Sequence, residues 1–351
     1  MRRITRTIEL GNVKIGSGHP IPIQTMTKTD TRDIVSTINQ IKEIEKAGCQ
    51  IVRCAIPDLD AAKALKKIIK GVNIPVVADI HFDYKLALES IKSGIHGLRI
   101  NPGNIGSRNK IEMVMKSVKQ AGIPIRIGVN SGSLEKDILK EYGSPTSDAL
   151  VESAIRHISI LDDLNFYDIK VSVKSSSVAI MQDSYRKLAS KTDLPLHIGV
   201  TEAGTFEVGS VKSAIGIGSL LSEGIGDTIR VSLTDHPVKE VVFAKTILKA
   251  LGHFQNGIEL ISCPGCGRLE IDLESLVNDV EKKIVNLKPQ RSLKVAILGC
   301  VVNGPGEASD ADIGIAGGRG KGQIYKNGKL FKSCKENEIV DILVEEIKNL
   351  N

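Results

Sequence analysis

Three cysteines in the last third of the sequence have the spacing of a metal site. Cys263 and Cys266 form a C-x2-C pair in the segment ISCPGCGR, and Cys300 follows an apolar run 34 residues after Cys266. The proline after Cys263 fixes a tight turn, and thiolates clustered on tight turns bind zinc or iron-sulfur clusters. The sequence therefore predicts a metal centre with three cysteine ligands.

The fourth ligand of this centre has two candidates. Cys334 would complete a structural zinc site of four thiolates. Glu307, in the glycine-rich loop predicted after Cys300, would instead leave one iron on a displaceable oxygen that a substrate could replace, which makes the centre catalytic. Cys49 and Cys54, at a predicted helix end and within a predicted strand, are interpreted as small core residues.

A second set of reactive side chains lies at the ends of short apolar runs between residues 20 and 250. Five or six of them are cations, which would repel one another in an empty site. A diphosphate would neutralise them, because the Arg fork matches phosphate oxygens two at a time, although any single cation could equally form a salt bridge at a rim. The set is Arg53, Asp79, His81, Arg99, Asn101, Arg126, Asn130, Lys170, Ser172, Lys174, Thr201, Glu202, Arg230 and Ser232.

Two members of this set could transfer protons. Glu202 would be held ionised by the cations until the charge of a bound substrate offsets them. His81 could act in the same way, or it could simply orient Asp79 or a backbone carbonyl. We take Glu202 and His81 as the catalytic candidates.

A repeated unit of strand, loop and amphipathic helix must position these residues. Several of the helical segments end in a glycine placed for a left-handed C-cap, as at Gly48, Gly94 and Gly122. Eight such units predict an α/β fold, a (β/α)8 TIM barrel with its active site at the carboxyl ends of the strands, whereas an open doubly wound sheet would need a glycine-rich nucleotide turn that is missing. The predicted strands are 21–27, 50–56, 75–81, 97–103, 123–130, 168–175, 195–202 and 227–233.

The strand-helix rhythm changes after residue 251. The pattern predicts a small α+β domain that carries the cysteines, so we expect a barrel domain at 1–253 and a cluster domain at 254–351, joined near 251–257. Its predicted elements are a helix at 274–287, a strand at 292–299, a hairpin with an Asn-Gly turn at 327–328 and a helix at 336–350.

Composition narrows the classes of function. The chain has 351 residues, 41% hydrophobic and 25% charged, and no run of roughly 20 apolar residues, so we expect a folded cytoplasmic protein without a membrane partner. A net charge of +6 suits an anionic substrate or an acidic partner. An aromatic content of 3% without Trp argues against a nucleic-acid partner read by stacked bases.

Several long segments together resemble the bacterial 4-hydroxy-3-methylbut-2-enyl diphosphate synthase family of the methylerythritol phosphate route to isoprenoids. The resemblance covers nearly the whole chain, and the segments occur in the family's order. They are IQTMT, VADIHFD, LRINPGNIG, TEAG, KSAIGIGSLLSEGIGDTIRVSL, CPGCGR and GCVVNGPGEA.

This resemblance implies an iron-sulfur oxidoreductase that opens 2-C-methyl-D-erythritol 2,4-cyclodiphosphate by two-electron reduction. It implies a [4Fe-4S] cluster on Cys263, Cys266, Cys300 and Glu307, with Glu202 as proton donor and His81 nearby. It also implies electrons from a flavodoxin or ferredoxin, and a homodimer in which the cluster domain of one subunit closes over the barrel of the other. The implied diphosphate-binding residues are Arg53, Arg99, Arg126, Asn130, Lys174, Arg230 and Ser232.

Two other functions explain part of the pattern. A phosphate-binding barrel enzyme such as a pterin synthase-like transferase, with a zinc-stabilised appendage, accounts for the cations but gives Glu307 no role. An RNA-binding protein would use the basic surface, and it predicts binding that weakens steeply with salt.

Overall fold

Eight short parallel strands within residues 1–251 close into a barrel. The computed structural model describes residues 1–254, 257–285, 287 and 289–350, in two units, Met1–Leu251 and Gly252–Asn351. The predicted boundary at 253/254 lies two residues further along the chain, and Gln255 and Asn256 of the predicted linker lie outside the described residues. The barrel strands are β3 (Gln24–Met26), β4 (Ile51–Ala55), β5 (Val76–Asp79), β6 (Gly97–Ile100), β7 (Ile125–Asn130), β8 (Ile169–Lys174), β9 (His197–Ile198) and β10 (Thr228–Ile229).

Hydrogen bonds between neighbouring strands run all the way round this barrel. Strands β3 to β8 form one parallel sheet in chain order, and β9 pairs with β10. Parallel bridges from Val171 to Leu196 and from Ile23 to Ile229 close the two gaps. All eight predicted strands are present, so the prediction of a TIM barrel is confirmed.

Helices cover the outside of the barrel between successive strands. Asp33, Asp58, Asp83 and Ser177 each accept a backbone N–H at a helix start, as N-caps do. The helices are α1 (Ile34–Lys46), α2 (Leu59–Lys70), α3 (Tyr84–Lys92), α4 (Arg108–Ala121), α5 (Lys136–Tyr142), α6 (Ser147–Asp162), α7 (Val178–Lys191), α8 (Phe206–Ser222) and α9 (Pro237–Ala250). Among the described residues, no helix has both the length and the apolar content to cross a bilayer.

An antiparallel hairpin at the amino terminus covers the far end of the barrel. It consists of β1 (Ile8–Leu10) and β2 (Val13–Ile15), and the sequence patterns did not predict it. Its buried isoleucine and leucine side chains pack on Ile51 and Val77, at the amino ends of β4 and β5. The functional candidates lie at the opposite end, at the carboxyl ends of the strands.

The second unit is a five-stranded sheet with helices. Strands β11, β12 and β13 are parallel, and β14 and β15 form an antiparallel hairpin whose turn residues Asn327 and Gly328 have φ values of 50° and 79°. The predicted hairpin and its Asn-Gly turn are therefore present. The elements are β11 (Gly257–Ser262), α10 (Leu273–Ile284), β12 (Ser292–Leu298), α11 (Gly304–Ser309), β13 (Ile313–Gly318), β14 (Lys321–Lys326), β15 (Lys329–Lys335) and α12 (Ile339–Asn349).

One local expectation in this unit was wrong. Glu307 lies on the short helix α11 rather than in a loop, and the glycine-rich residues beyond it form strand β13. The glycines serve packing, since a Cβ at Gly314 would lie 2.6 Å from the Cα of Ala308 on α11. Asn286 of the predicted helix at 274–287 lies outside the described residues.

Candidate active site

The carboxyl ends of the barrel strands line one cavity. Parallel strands place their carboxyl ends at the same rim, so residues far apart in sequence meet there. All of the predicted diphosphate-binding residues lie in this lining, together with His81. The lining residues are Arg53, Asp79, His81, Arg99, Arg126, Asn130, Ser172, Lys174, Thr201, Arg230 and Ser232. We call this cavity the barrel mouth.

Asp79 is the carboxylate at the centre of the mouth. Its oxygens lie 3.1 Å from Nη1 of Arg99, 3.6 Å from Nε of Arg53 and 3.7 Å from Nε2 of His81. Burial raises the pKa of Asp79, but the charges of Arg53 and Arg99 and the nearby ring of His81 outweigh it and hold this pKa well below its usual value. Asp79 therefore stays ionised and neutralises part of the local positive charge.

Arg99 is fixed in place by the neighbouring strand. Its Nη2 donates to the carbonyl of Gly128 at 2.6 Å, and its Nη1 lies 2.8 Å from Nε2 of His81. A Cβ at position 128 would lie 2.3 Å from Nε of Arg99, so only glycine leaves room for this guanidinium. His81 is half-exposed, which leaves its ring open to a ligand in the mouth.

Arg126, Lys170 and Lys174 are buried cations that the protein leaves short of partners. Nε and Nη1 of Arg126 and Nζ of Lys170 have no hydrogen-bond partner among the described residues. Burial, followed by the nearby guanidinium charges, holds the pKa of each of the three groups well below its usual value. Buried cations that repel one another and lack hydrogen-bond partners indicate a site that binds an anion with several charges.

Lys174 is held by a buried histidine that the sequence reasoning did not single out. Nε2 of His197 lies 3.3 Å from Nζ of Lys174, and Nδ1 lies 2.6 Å from Oγ1 of Thr228. Burial and then the charge of Lys174 keep the pKa of His197 well below its usual value, so the ring is neutral and accepts from the lysine. The available signal was its place in the predicted strand at 195–202, where alternate side chains face the interior of the barrel.

Glu240 is a second buried carboxylate that the sequence reasoning missed. Its oxygens accept from Oγ1 of Thr25 at 2.6 Å and from the backbone N–H of Leu233 at 3.1 Å, and they lie 3.3 Å from Nζ of Lys28 and 3.8 Å from Nε of Arg230. Burial, then the charge of Arg53, lowers the pKa of Arg230 to about 10, and Glu240 opposes that shift. Because Glu240 lies on helix α9, no strand-end pattern could have indicated it.

Glu202 lies at the edge of the mouth. It is exposed, and it lines an adjoining cavity together with Lys28, Arg230 and Ser232, the last two of which also line the mouth. Its φ of 51° is a left-handed backbone conformation that non-glycine residues seldom adopt. Glu202 is therefore an exposed acid beside the cations Lys28 and Arg230.

Replacing Arg126 by Met is expected to stabilise the free protein and weaken its binding of anions. A cation whose folded-state pKa lies below its unfolded value destabilises the folded state at neutral pH, and an apolar side chain of similar length removes that cost. We expect the melting temperature to rise by a few degrees, or about 1–2 kcal/mol. Differential scanning calorimetry with and without inorganic pyrophosphate measures both effects, because pyrophosphate should raise the melting temperature of the wild type more than that of R126M.

The matched control is Arg186→Met, which removes an arginine from an exposed ion pair with Glu223. This variant should change neither stability nor the pyrophosphate effect appreciably. A destabilised R126M that responds to pyrophosphate like the wild type would contradict the proposed role of Arg126.

The predicted cluster cysteines follow two neighbouring strands of the second unit. Strands β11 and β12 are parallel, with Ser262 paired to Ile297, so Cys263 and Cys300 both leave the sheet at its carboxyl edge. The loop from Cys263 to Cys266 contains Gly265 at φ 77°, and the backbone N–H of Glu270 donates to the carbonyl of Gly299 at 3.2 Å. Sheet topology therefore brings the two loops that carry the three thiols to one end of the unit.

Two of these thiols are biased towards the thiolate form. Hydrogen bonds from the backbone N–H and the side chain of Arg268 lower the pKa of Cys266. Backbone N–H groups of Asn303 and Val302 lower the pKa of Cys300. Thiolates are the form that binds metal, so the donor chemistry fits a cluster.

The side chains are not arranged as a finished metal site. Within the described residues, no three Cys, His, Asp or Glu side chains lie close enough together to hold a metal ion. Cys266 and Glu307 are exposed, and Cys263 and Cys300 are partly exposed. The structure thus places the predicted ligands at one end of the sheet but not in a coordinating arrangement.

The remaining cysteines have the surroundings of core residues. Cys334 lies in the hydrophobic core of the second unit, its Sγ 3.7 Å from the carbonyl of Gly322, and burial raises its pKa. Burial raises the pKa of Cys49 to about 12 and that of Cys54 to about 11. None of the three has the lowered pKa of a ligand thiol.

Comparison with known families covers both units. Residues 5–245 match the family model described as GcpE TIM-barrel domain, and residues 259–349 match the GcpE protein C-terminal domain. A Clostridium acetobutylicum protein named 4-hydroxy-3-methylbut-2-en-1-yl diphosphate synthase (flavodoxin) is 59% identical over 351 residues, 100% of both chains. A Thermodesulfovibrio yellowstonii protein of the same name is 56% identical over 347 residues, 99% of both chains.

Two solved structures are similar to this chain over about seven tenths of its length. A dihydropteroate synthase from Stenotrophomonas maltophilia superposes with a TM-score of 0.51 at 9% identity, covering 71% of this chain and 98% of that one. A 3-dehydroquinate dehydratase from Geobacillus kaustophilus gives a TM-score of 0.51 at 16% identity, covering 72% and 99%. At such low identity these likenesses support the fold and say nothing about the reaction.

Proposed function

The chain belongs to the GcpE family of 4-hydroxy-3-methylbut-2-en-1-yl diphosphate synthases, which confirms the resemblance seen in the sequence, and from this we propose how its own residues perform that reaction. The observation that carries the proposal is the mouth with its five strand-borne guanidinium and ammonium groups around one carboxylate. The proposed substrate is 2-C-methyl-D-erythritol 2,4-cyclodiphosphate. Two electrons and two protons enter, the ring C–O bond and the C3–O bond break, and one water leaves.

The mouth residues bind and orient the diphosphate. Arg53, Arg99 and Arg126 supply fork-shaped donors for phosphate oxygens, and Lys174 and Arg230 add further positive charge. Bound phosphates satisfy the unpartnered nitrogens of Arg126 and relieve the repulsion among the cations. Asn130 and Ser232 donate hydrogen bonds from uncharged groups, which fix the orientation of the substrate. His81, which contacts the guanidinium of Arg99, supplies a further donor.

Glu202 supplies a proton to the oxygen that leaves. Its exposed side chain lines a cavity together with Arg230 and Ser232, which supports this role. A carboxyl group within reach of the leaving oxygen can act as its general acid. His81 is the second candidate for proton transfer in this proposal.

The second unit fits a [4Fe-4S] cluster through the chemistry of its donors. Cys263, Cys266 and Cys300 leave one edge of the sheet, two of them with lowered pKa values, and Glu307 on α11 supplies the fourth, oxygen ligand in the proposal. When bound, such a cluster supplies single electrons to the substrate. The backbone N–H groups around Cys300 and the side chain of Arg268 offset the negative charge that the thiolates bring together.

The partners follow from the same proposal. Relatives carry flavodoxin in their names, and we propose a flavodoxin as electron donor, with a ferredoxin as the alternative carrier. We propose a homodimer in which each barrel mouth works with the cluster of the other subunit. A cytoplasmic location and the absence of nucleic-acid and membrane partners remain predictions from the sequence.

The rival functions lose their support. A pterin synthase-like transferase shares only the barrel, at 9% identity, whereas the relatives of the family match through both units. An RNA-binding role leaves the cations that converge inside the mouth without a purpose, because a nucleic-acid backbone is contacted by cations exposed on the protein surface.

Anaerobic reconstitution with iron and sulfide tests the proposed function. We expect a brown protein with about four irons and four inorganic sulfides per chain, which converts the cyclodiphosphate to the allylic diphosphate when dithionite supplies electrons. Product is measured by phosphorus NMR. A colourless protein with one zinc per chain, or a brown protein that leaves the cyclodiphosphate intact, would refute the proposal.

A further inference from the structure

The hairpin β14–β15 is a strongly basic edge of the second unit. The sheet order ends with β15, so this strand has one side free of strand partners among the described residues. Residues 313–335 contain six cations and no acidic residue. The charge of this segment, +6, equals the net charge of the whole chain. The six are Arg319, Lys321, Lys326, Lys329, Lys332 and Lys335.

The outer strand carries the unneutralised part of this charge. Lys326 pairs with Glu346 at 2.5 Å and lies over the ring of Phe331 at 5.4 Å. Lys329 and Lys332 are exposed, and neither forms an ion pair with any residue in the described part of the chain. Their charges are therefore available to a partner.

Two large apolar side chains lie between these lysines. Leu330 is 54% exposed and Phe331 is 51% exposed. An apolar centre with a charged rim is the composition of a protein-protein interface. Lysines alone would serve only to keep an edge strand from aggregating, and that purpose does not call for an exposed leucine and phenylalanine.

The edge is connected to the thiols through the sheet. Gly317, at the end of β13, lies within contact distance of Gly299, the residue before Cys300. Strands β12, β13, β14 and β15 follow one another in the sheet, so the outer strand lies roughly 14 Å from the strand that leads to Cys300. Strand β15 runs parallel to β12, and the register sets Lys332 level with Ile297, three residues before Cys300. A protein seated on residues 329–332 would therefore lie towards the amino ends of these strands and would leave the cysteine loops uncovered.

We propose that Lys329, Leu330, Phe331 and Lys332 form the docking surface for an acidic one-electron carrier protein of the flavodoxin type. The inference rests on the proposed function, because it assumes that the second unit accepts electrons. Each docking event transfers one electron from the reduced carrier, and two events supply the two electrons of one turnover. Opposite charges speed the encounter, and the apolar pair provides the contact area.

The test is the charge-reversal variant K329E/K332E, reconstituted as full-length holoenzyme. With reduced flavodoxin as donor, we expect KM for flavodoxin to rise by about 10- to 100-fold, since like charges across an interface cost several kcal/mol. With dithionite as donor, the rate should stay within about twofold of the wild type, because a small reductant needs no docking surface. Leu330→Ser with Phe331→Ser should raise the same KM at unchanged charge.

The matched control is K66E/K70E, which reverses two exposed lysines on helix α2 of the barrel unit. It changes the net charge equally and should leave KM for flavodoxin unchanged. Equal effects of K329E/K332E and K66E/K70E, or an unchanged KM in K329E/K332E, would overturn the docking surface and leave the lysines as protection of the edge.

Direct binding separates this inference from the proposed function. Calorimetric titration of flavodoxin into the wild type should give a dissociation constant that rises with salt and that K329E/K332E weakens. If the wild type is inactive with dithionite yet binds flavodoxin through these lysines, the proposed function fails and the docking surface stands. If it is active with dithionite but the titrations do not differ, the docking surface fails alone.

Discussion

Replacing Glu202 by Gln is expected to lower kcat by about 10²- to 10⁴-fold, the range that general acids contribute. The amide keeps the shape of the side chain and the left-handed backbone of residue 202, but it cannot donate a proton to a leaving oxygen. Binding of the cyclodiphosphate should change by less than about threefold, because the substrate charge is held by the strand-borne cations of the mouth. Single-turnover kinetics with dithionite, alongside calorimetric binding of substrate, separate the two quantities.

Glu207→Gln is the control for this variant. Glu207 is an exposed glutamate only five residues further on, in the first turn of helix α8, and it lines neither cavity. E207Q should match the wild type in both kcat and binding. Equal turnover in E202Q and the wild type would remove Glu202 from the role of proton donor.

Replacing Cys300 by Ser is expected to abolish the visible absorption of the reconstituted protein and its activity. Changing a group that merely supports a metal ligand commonly costs 10- to 100-fold, so loss of the ligand itself should lower activity by more than about 100-fold. The hydroxyl of Ser is not ionised at neutral pH, and the backbone N–H groups that stabilise a thiolate at position 300 lose their charged partner. Iron and sulfide analysis and the visible spectrum measure the outcome without reference to activity.

Cys334→Ser is the matched control. Cys334 packs in the core of the second unit, so the variant should lose some stability and yet retain its iron, sulfide and colour. A colourless C334S together with a brown C300S would reverse the assignment of the ligands.

Mixing the two inactive variants extends the test to the proposed dimer. In a mixture of E202Q and C300S, half of the randomly formed dimers hold one of each subunit, and each of these has one mouth with Glu202 facing one intact cluster. Activity should then recover to about a quarter of the wild-type value if sites are shared between subunits. A mixture as inactive as its components would contradict the shared site.

The functional residues at the strand ends of the barrel were predictable because each polar side chain follows a run of apolar residues that forms the strand. Arg99 and Arg126 each follow an apolar run that contains leucine or isoleucine, so a charged residue at these positions is easily noticed in the sequence. The same pattern placed Asn130 and Lys174 at the rim, and the structure puts all of them in one cavity. What the pattern could not supply was the distance between groups, which depends on the closure of the barrel.

Residues that act from outside the strand ends escaped prediction. Glu240 reaches Arg230 from a helix, and the charge of a helical glutamate normally indicates a solvated face. Lys28 follows β3, and its partners Leu233 and Glu240 lie more than 200 residues further along the chain. Contacts over such separations are set by the three-dimensional fold, and local spacing carries no trace of them.

The glycine-rich segment after Cys300 shows a different limit. Its composition indicates an irregular loop, yet it forms α11 and β13, since Gly304 and Gly314 allow the helix to pack closely on the sheet. A Cβ at position 304 would lie only 2.8 Å from the Cβ of Ala316. Tertiary packing here decides the local structure against the propensity of the residues.

The burial of the mouth cations has a consequence for the entropy of binding. Arg99 and Arg126 are 3% exposed and Lys174 is 5% exposed, so folding has already restricted their rotamers. A flexible arginine or lysine at a surface would forfeit about 2 kcal/mol of side-chain freedom on gripping a phosphate. In this barrel that side-chain entropy is lost when the chain folds. The substrate therefore binds to a preorganised site, and binding restricts these side chains little further.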